Sequence, residues 1–586
     1  MNLLDILKYT NIKKKCKIKE KNLDFDMSDL DKKISDFAQE IYDKNKTDFL
    51  KFQKFSSNLG FWGSRLYDTG GHTPCLINLA NSMSTNEGEK NPVFLSKYES
   101  TIKNAPISIG KLKRCSMVFG VEYNGLNFKR KLIEGYNKII KNSPKVFVLY
   151  ISQHDIYSTA LIYLLKKTTD IKFIFFDHAS HYPNLAMTLS DVIVEELETC
   201  KKTLIEKRHI TNIPYRKCGL QSKKKEEVEY YSFEEKQSKR KELAIPKDAL
   251  LTVSGGSSYK YFEGKNSSHY EMIKRLLERF PNLYHLAITN LTKEQKKIVN
   301  KIFEKSEAKN RLIFHSLTPE YDILFQMADL FIDSFPMSSA MTQIDLMAMK
   351  VPSVVKINSE KPELTFHEYM PKNYPYMYEK VEDMEQGIVK LLLNKGLREE
   401  IKKSNYEFWL NNYEAMCVKN NYLKLINLLN PEIKLINFLD IPFETKLKTR
   451  DWRNSEDVKK WFKIPYIDEN MHKNWLRSLK EDFAKNIAFI IMCNGDYIGV
   501  TYFHSIDYKR KEAEWGIYIH DSSTRGFGIG KFVLKQCLEY LKNKGFQKLY
   551  LSVLNSNKRA IALYKSFGFK FLYNEEANFE KYYKNL

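Results

Sequence analysis

Leu30, Ile34, Phe37 and Ile41 recur at helical spacing within a basic N-terminal stretch, and this predicts a helical extension over residues 1–57. Residues 145–151 and 171–176 are short apolar runs separated by a helical pattern over 156–167. Apolar runs of this length read as strands buried on both faces, and strand, helix, strand in succession argues for a parallel sheet. A highly charged interval, residues 223–241, breaks the pattern. The alternation restarts at residues 250–254 and continues through 285–288, 311–314 and 330–333, until a helical run over 397–429 closes the set. Farther on, residues 488–493 and 497–503 flank Asn494-Gly495, which predicts a hairpin. Residues 513–519 form a further strand by composition. Residues 531–544 carry Phe532, Leu534, Cys537, Leu538 and Leu541 along one helical face.

The predicted fold class is therefore α/β throughout. The expected order is the extension (1–57), a first Rossmann-like lobe (58–222), a charged linker (223–244), a second Rossmann-like lobe (245–430) and a smaller α/β domain (435–586). A chain of 586 residues is long enough for several cores, and its 43% hydrophobic and 13% aromatic content excludes disorder on a large scale. No run approaches the roughly 18 apolar residues of a membrane span, and the first residues lack the apolar core of a signal peptide. The expected location is the cytoplasm, with a lysine-rich N-terminal helix also suited to the inner face of a membrane. The eight cysteines have no Cys-x-x-Cys spacing and no histidine partners, so reduced thiols and no metal are expected. The formal charge of +22 comes mainly from lysines spread along helices without a nucleic-acid motif, which reads as a solvated surface rather than a nucleic-acid interface.

Three short motifs carry chemistry. The first follows the strand at 513–519, where Arg525 precedes Gly526, Phe527, Gly528, Ile529 and Gly530, and Lys531 opens a helix. Glycines at a strand-to-helix junction let backbone N–H groups and the helix's positive end face a pyrophosphate. The spacing is not Gly-x-Gly-x-x-Gly, and no acidic residue stands about twenty positions on, which disfavours a dinucleotide. Asn557, Ala560, Leu563, Tyr564, Gly568 and Phe569 follow in order. Together these residues resemble the GCN5-related N-acetyltransferases (GNAT), with their Arg/Gln-x-x-Gly-x-Gly/Ala loop and following Asn-x-x-Ala-x-x-x-Tyr helix. The resemblance implies acetyl-CoA as cofactor, held by Ile517, Ile519, Arg525 through Gly530, Lys531 and Asn557. It implies Tyr564 as general acid, and Glu514 drawing the amine's proton directly or through water. Arg450, Asp451, Trp452, Arg453, Asn454, Trp461, His472 and Trp475 resemble the branch that acetylates an amino group on a nucleotide-linked sugar in nonulosonic acid synthesis. Ribosomal-protein acetyltransferases share much of that opening. These arginines and aromatics suit a base or a phosphate, and such tryptophans also serve as ordinary core.

The second and third motifs are Asp68-x-Gly70-Gly71-His72 and the pair Ser254-Gly255 with Lys260 and Ser338-Ser339-Ala340-Met341-Thr342 with Asp345. They resemble the GT-B glycosyltransferases of the O-GlcNAc-transferase and adhesin-glucosyltransferase group, in which a Thr-x-x-Asp segment opens a helix beneath a diphosphate. The resemblance implies a nucleotide-diphosphate sugar donor bound by Gly70, Gly71, Ser254, Gly255, Lys260, Ser338, Ser339, Thr342 and Asp345, with His72 catalytic and no metal. Some relatives carry His-Thr-Thr where this chain has Ala340-Met341-Thr342, so the sugar preference does not transfer. His72 is equally suited to capping a helix, Lys260 to the surface, Asp333 and Asp345 to structural capping, and His178 and His181 to a turn. The expected whole is a glycosyltransferase joined to an N-acetyltransferase, with an amino-sugar or glycoprotein acceptor such as flagellin. The competing expectations are nucleotide-sugar hydrolysis, a non-catalytic binding platform joined to a protein acetyltransferase, and charge-driven nucleic-acid binding.

Overall fold

The computed structural model describes residues 27–68, 72–84, 90–121, 123–177, 184–318, 320–360, 364–480, 484–576 and 578–586. Gly70, Gly71, His178 and His181 lie outside the described residues. The chain divides into two compact units after Leu423.

The first unit holds two parallel sheets. One contains β1 (Ser57–Gly63), β2 (Asn91–Leu95), β3 (Ser116–Gly120), β4 (Pro144–Tyr150), β5 (Lys172–Phe176), β6 (Val192–Val194) and β7 (Tyr215–Arg216), in the spatial order β3-β2-β1-β4-β5-β6-β7. The other contains β8 (Leu250–Gly255), β9 (Leu283–Ile288), β10 (Leu312–His315), β11 (Leu330–Ile332), β12 (Ser353–Lys356) and β13 (Met377–Tyr378), in the order β10-β9-β8-β11-β12-β13. In both, the order reverses beside the first strand, between β1 and β4 and between β8 and β11. Open sheets bind ligands beyond the strand ends at such a reversal. The apolar runs at 145–151 and 171–176 are β4 and β5, as their pattern predicts. The strand β1 gives a weaker signal because glycines interrupt it. A Cβ on Gly60 would come within 2.6 Å of the Pro144 ring, so the glycine admits the close approach of β4.

The helix Met27–Lys44 buries Met27, Ile34, Ala38 and Ile41 in the first lobe's core. Its Asp31 accepts hydrogen bonds from the N–H groups of Ala186 and Thr188 and from the Thr188 hydroxyl, while burial pushes the carboxyl up to about 6. The charged interval forms the helix Phe233–Glu242, capped by Ser232 and Glu235. Its Arg240 is buried and donates to the carbonyls of Met327 and Ala249, so this segment is built into the second lobe rather than strung between lobes. Glu368 of the second lobe reaches the helix Glu198–Glu206 of the first. It accepts from the N–H groups of Glu198 (2.7 Å) and Thr199 (3.0 Å) and from the Thr199 hydroxyl (2.6 Å). A carboxylate at a helix N-terminus satisfies orphan donors and complements the helix dipole.

The second unit carries a mixed sheet of β14 (Ile433–Asn437), β15 (Ile487–Cys493), β16 (Asp496–Asp507), β17 (Glu512–Ile519), β18 (Lys548–Leu554), β19 (Lys570–Glu576) and β20 (Phe579–Asn585), ordered β14-β15-β16-β17-β18-β20-β19. Asn494 and Gly495 turn the β15–β16 hairpin at φ values of 52° and 95°, the left-handed pair that the sequence signal demands. One face is covered by the helices Ile529–Asn543 and Lys558–Ser566, which pack Val533, Leu534, Cys537 and Ile561 against Ala513 and Trp515. On the other face Val500 and Tyr518 meet Leu479, Trp475 and Phe438. Among the described residues, no helix is long and apolar enough to cross a membrane.

Asp155 fixes the reversal point of the first sheet. It accepts from the hydroxyls of Ser64 and Ser96, which follow β1 and β2, and from the N–H and hydroxyl of Ser158, where it caps the helix Ile156–Thr168. Asp155→Ala orphans these buried donors and is expected to cost about 3 kcal/mol, summed from a lost cap and unsatisfied hydroxyls. A fall in the denaturant midpoint of the first unit checks this.

Candidate functional site

In the second unit the site is created by strand divergence. β17 and β18 run parallel but pair only from Glu512 opposite Lys548 to Glu514 opposite Tyr550. Beyond Glu514 the two strands continue to Ile519 and Leu554 without pairing to each other. From Trp515 onward β17 pairs with β16 alone among the described strands, so its other edge faces an opening instead of a neighbouring strand. A cleft of about 590 Å³ occupies this wedge. Glu514, Gly516, Tyr518 and Tyr502 line it, with Trp515, Ile517, Asn557 and Tyr564.

Successive residues of a strand point to opposite faces. Glu514, Gly516 and Tyr518 belong to one face, and Trp515 and Ile517 to the face carrying the glycine loop and the two long helices. Gly516 is required by packing, because a Cβ there would come within 2.4 Å of the Tyr502 ring. Trp515 donates from Nε1 to Thr501 Oγ1 at 2.8 Å, and its ring meets that of Tyr564 edge-on at 5.9 Å. Tyr564 is buried, and that burial, with Tyr502 nearby, holds its hydroxyl well above the usual tyrosine value. Among the described residues, no group bonds to that hydroxyl.

The glycine loop follows β17. Gly526 and Gly528 stand at φ values of 101° and 79°, conformations that L side chains rarely adopt, and Gly528 caps the helix Ile529–Asn543. The first N–H groups of a helix have no intrahelical partner, so Ile529, Gly530 and Lys531 present donors at its positive end. A Cβ on Gly528 would meet nothing within 4 Å, which leaves an open surface above the turn. Arg525 folds back, and its Nε and Nη2 donate to the carbonyl of Ile519 at 3.1 and 2.6 Å, bracing the strand end. Phe527 and Ile519 pack beside the core that Ile529 enters. Asn557 caps the helix Lys558–Ser566 by accepting from Ala560 N–H and lines the cleft as well.

The opposite face carries a polar row that sequence patterning does not reveal. His504 on β16 lies opposite Glu514, and Lys581 on β20 lies opposite Ser552 on β18. Glu514 Oε1 accepts from the Ser552 hydroxyl at 2.8 Å, and its Oε2 lies 2.7 Å from Lys581 Nζ. The same hydroxyl contacts Glu575 Oε2 at 2.7 Å, and Lys463 pairs with Glu575 at 2.7 Å. Burial favours a neutral Glu575, yet the bonds from Lys463 and Ser552 and the charge of Lys581 hold its carboxyl below the usual value. The hairpin strand continues to Asp507, beyond the expected end at residue 503, and that continuation delivers His504 to the site.

Of the opening residues, Arg450, Arg453, Trp461, His472 and Trp475 line the cleft. Trp452 instead stacks on His520 at 4.0 Å. The Arg453 guanidinium lies 3.6 Å over the Phe462 ring and donates from Nη2 to the Ile464 carbonyl. Its Nη1 is buried, with no hydrogen-bond partner among the described residues.

In the first unit, the candidate donor site falls at the reversal between β8 and β11. Lys260 follows β8 and donates to the Ser338 carbonyl at 3.1 Å, tying together the loops that leave both strands. Burial lowers its ammonium's pKa, opposed by the charge of Asp333. Asp333 accepts from the N–H groups of Ser334 and Ser339 and from the Ser339 hydroxyl, and burial pushes its carboxyl up to about 6. The Ser338 hydroxyl accepts from Phe366 N–H. Ser338 and Ser339 thus brace the loop with their side chains, and Thr342 stands in the first turn of the helix Met341–Ala348. Asp345, pushed up to about 6 by burial, accepts from the Tyr321 hydroxyl at 3.0 Å, beneath that helix start.

Ser254 and Gly255 end β8 beside this site. Ser254 is fully buried and bonded to His285 Nε2 at 3.0 Å, because strand alternation turns it inward, so its side chain supports the site from below. Gly255 packs against Phe325, whose Cζ would lie 2.8 Å from an added Cβ. His72 opens the helix His72–Met83, with Nε2 3.4 Å from the Arg65 carbonyl and a pKa lowered by burial. One turn on, Cys75 Sγ lies 3.6 Å from Met341 Sδ, so the helix starts bearing His72 and Thr342 share one seam between the lobes. Asp68 accepts from Ser108 N–H and caps the helix Pro106–Cys115. Among the described residues, no group of three or more His, Cys, Asp or Glu is arranged to hold a metal ion.

The sequence model of the acetyltransferase (GNAT) family matches residues 448–569. The acetyltransferase PseH of Campylobacter jejuni is 30% identical over 148 residues in serotype O:2, and 28% identical in serotype O:23/36. Each match covers 25% of this chain and 90% of the relative. A crystal structure of C. jejuni PseH in complex with acetyl coenzyme A is 25% identical and covers 26% of this chain and 99% of that one, with a TM-score of 0.21. A crystal structure of a glycosyltransferase from Rickettsia africae covers 64% of this chain and 98% of that one, with 14% identity and a TM-score of 0.51, which makes the likeness one of fold.

Gly516→Ala is expected to push Tyr502 aside and cost about 2 kcal/mol, the usual scale of overpacking. A lowered unfolding midpoint of the second unit, with the first unit unchanged, checks it.

Proposed function

The chain belongs through its C-terminal unit to the GNAT acetyltransferase family, and from that premise we propose a two-enzyme chain: a nucleotide-sugar-dependent glycosyltransferase joined to an acetyl-CoA-dependent N-acetyltransferase whose acceptor is an amino sugar. The setting we propose is assembly of an acetamido-sugar glycan on a surface protein such as flagellin. The observation that carries the acetyl-transfer half is the wedge between β17 and β18, which joins a phosphate cradle on one face to a polar, aromatic cleft on the other.

In this reading the N–H groups from Gly526 to Lys531 hold a pyrophosphate at the helix start, and Ile517, Ile519 and Asn557 guide the rest of acetyl-CoA along the open edge of β17. The thioester lies at the wedge near Glu514. The acceptor amine enters from the face lined by Trp461, Trp475 and Tyr502. Arg453, whose buried Nη1 has no hydrogen-bond partner among the described residues, and Arg450 supply positive charge for a nucleotide-linked sugar. Tyr564 gives its proton to the leaving thiolate, a role suited to a hydroxyl that burial keeps protonated.

For the first unit, support comes from the glycosyltransferase fold and from the convergence of Lys260, Asp333 and the helix start at Thr342 on the β8–β11 reversal. There the helix N-terminus and Lys260 would stabilise charge on a departing nucleotide diphosphate without a metal. His72, across the seam, is the candidate base. It must be neutral to accept a proton, and burial favours that form.

Calorimetric titration of the full chain with acetyl-CoA, then with uridine, guanosine and cytidine diphosphate sugars, is expected to show two independent sites. Gly528→Val, which forces a β-branched side chain to φ 79°, is expected to weaken acetyl-CoA binding about 100-fold, the roughly 2.7 kcal/mol of one or two charge-assisted hydrogen bonds, with nucleotide-sugar binding intact. Tyr564→Phe is expected to lower kcat about 100-fold with little change in coenzyme affinity. Acetyl-CoA binding without any nucleotide-sugar binding refutes the glycosyltransferase half. Nucleotide release at full rate without an acceptor makes that half a hydrolase.

A further inference from the structure

Glu514 sits at the apex of the wedge, yet both of its oxygens are engaged, one by the Ser552 hydroxyl and the other by Lys581. Its neighbour across the strand pair is different. His504 Nε2 lies 4.0 Å from Glu514 Oε1, the ring lines the same cleft, and its Nδ1 lies 3.2 Å from the Ser505 hydroxyl. With Nδ1 donating to a hydroxyl or to water, Nε2 is left as an acceptor.

We propose that His504 is the group that takes the proton from the attacking amine, and that Glu514, held by Ser552 and Lys581, positions and stabilises the imidazolium that forms. This rests on the acetyltransferase reading of the second unit. The amine nitrogen forms a bond to the thioester carbonyl carbon and gives its proton to His504 Nε2. The carbon–sulfur bond breaks, and the sulfur takes the proton of Tyr564. The products are an acetamide and coenzyme A. The proton on His504 and the vacancy on Tyr564 are restored through solvent before the next turnover.

The charge around His504 fits this part. Glu514 on β17 and Glu575 on β19 favour its protonated form, and Lys581 on β20 opposes it. Burial, with Lys581 acting in the same direction, outweighs the two carboxylates and lowers the imidazole's pKa below the usual histidine value. A base must be neutral to act, so activity rises with pH through that pKa and levels off above it. The ring is therefore ready at neutral pH. Lys463, paired to Glu575, completes the alternation of charge across the row without touching the ring.

The test uses the full chain, measuring coenzyme A release from acetyl-CoA with UDP-, GDP- and CMP-linked amino sugars as acceptors. His504→Gln is expected to lower kcat/KM about 100-fold, to leave acetyl-CoA affinity within about twofold, and to remove the acid limb of the pH profile. Added imidazole is expected to restore part of the rate of His504→Ala. Glu514→Gln is expected to keep the acid limb but move it to lower pH, because the carboxylate that favours the imidazolium is gone. If His504→Gln keeps both its rate and its acid limb, or if Glu514→Gln abolishes the limb, His504 is not the base and the proposal falls while acetyl transfer stands. If the unsubstituted protein turns over none of these acceptors, the amino-sugar reading falls and this proposal with it.

Discussion

Two parallel strands that part company after three paired residues determine what the C-terminal unit can do. Hydrogen bonding between β17 and β18 ends at Glu514, and the backbone beyond it has donors and acceptors with no strand to satisfy them. An elongated ligand carrying amide groups can replace the missing strand, and the opening lets two reactants meet from opposite faces of one sheet. The helix start at Gly528 and the capped helix at Asn557 lie on one side of this passage, and the Glu514 row lies on the other. Packing enforces the arrangement, since Trp515 and Tyr564 lock the helical face and Tyr502 needs the missing side chain of Gly516.

The first unit solves a related problem by repetition. Each parallel sheet reverses its strand order beside its first strand, and in each a buried aspartate ties the loops leaving the strand ends, Asp155 in one lobe and Asp333 in the other. Neither aspartate needs to touch a ligand to matter. Each collects hydroxyl and amide donors that would otherwise compete for one, and so fixes the floor of its crevice.

Much of this was legible from local pattern. The glycines at 526, 528 and 530 lie within one turn of chain, and Asn494-Gly495 demands a hairpin on its own; both signals depend only on neighbours. The row from His504 to Glu575 spans more than seventy residues and exists only through strand register, so no spacing in the chain announces it. Ser254 shows the converse. Its place at a strand end suggests a ligand contact, but whether a terminal strand residue faces the crevice or the core depends on alternation counted from inside the sheet, and here the count turns it toward His285. The glycines of β1 hid a central strand because they make room for the Pro144 ring and for Leu76 and Leu95, which hydropathy does not register.

Glu368 bears on movement within the first unit. Three hydrogen bonds from a single carboxylate join the second lobe to the start of a helix in the first, and two go to backbone amides that have no alternative partner inside the helix. Separating the lobes at this point would break all three together and strip a negative charge from a positive helix end. All three bonds depend on the placement of one side chain, so the register of the second lobe against this helix of the first is set by a single residue.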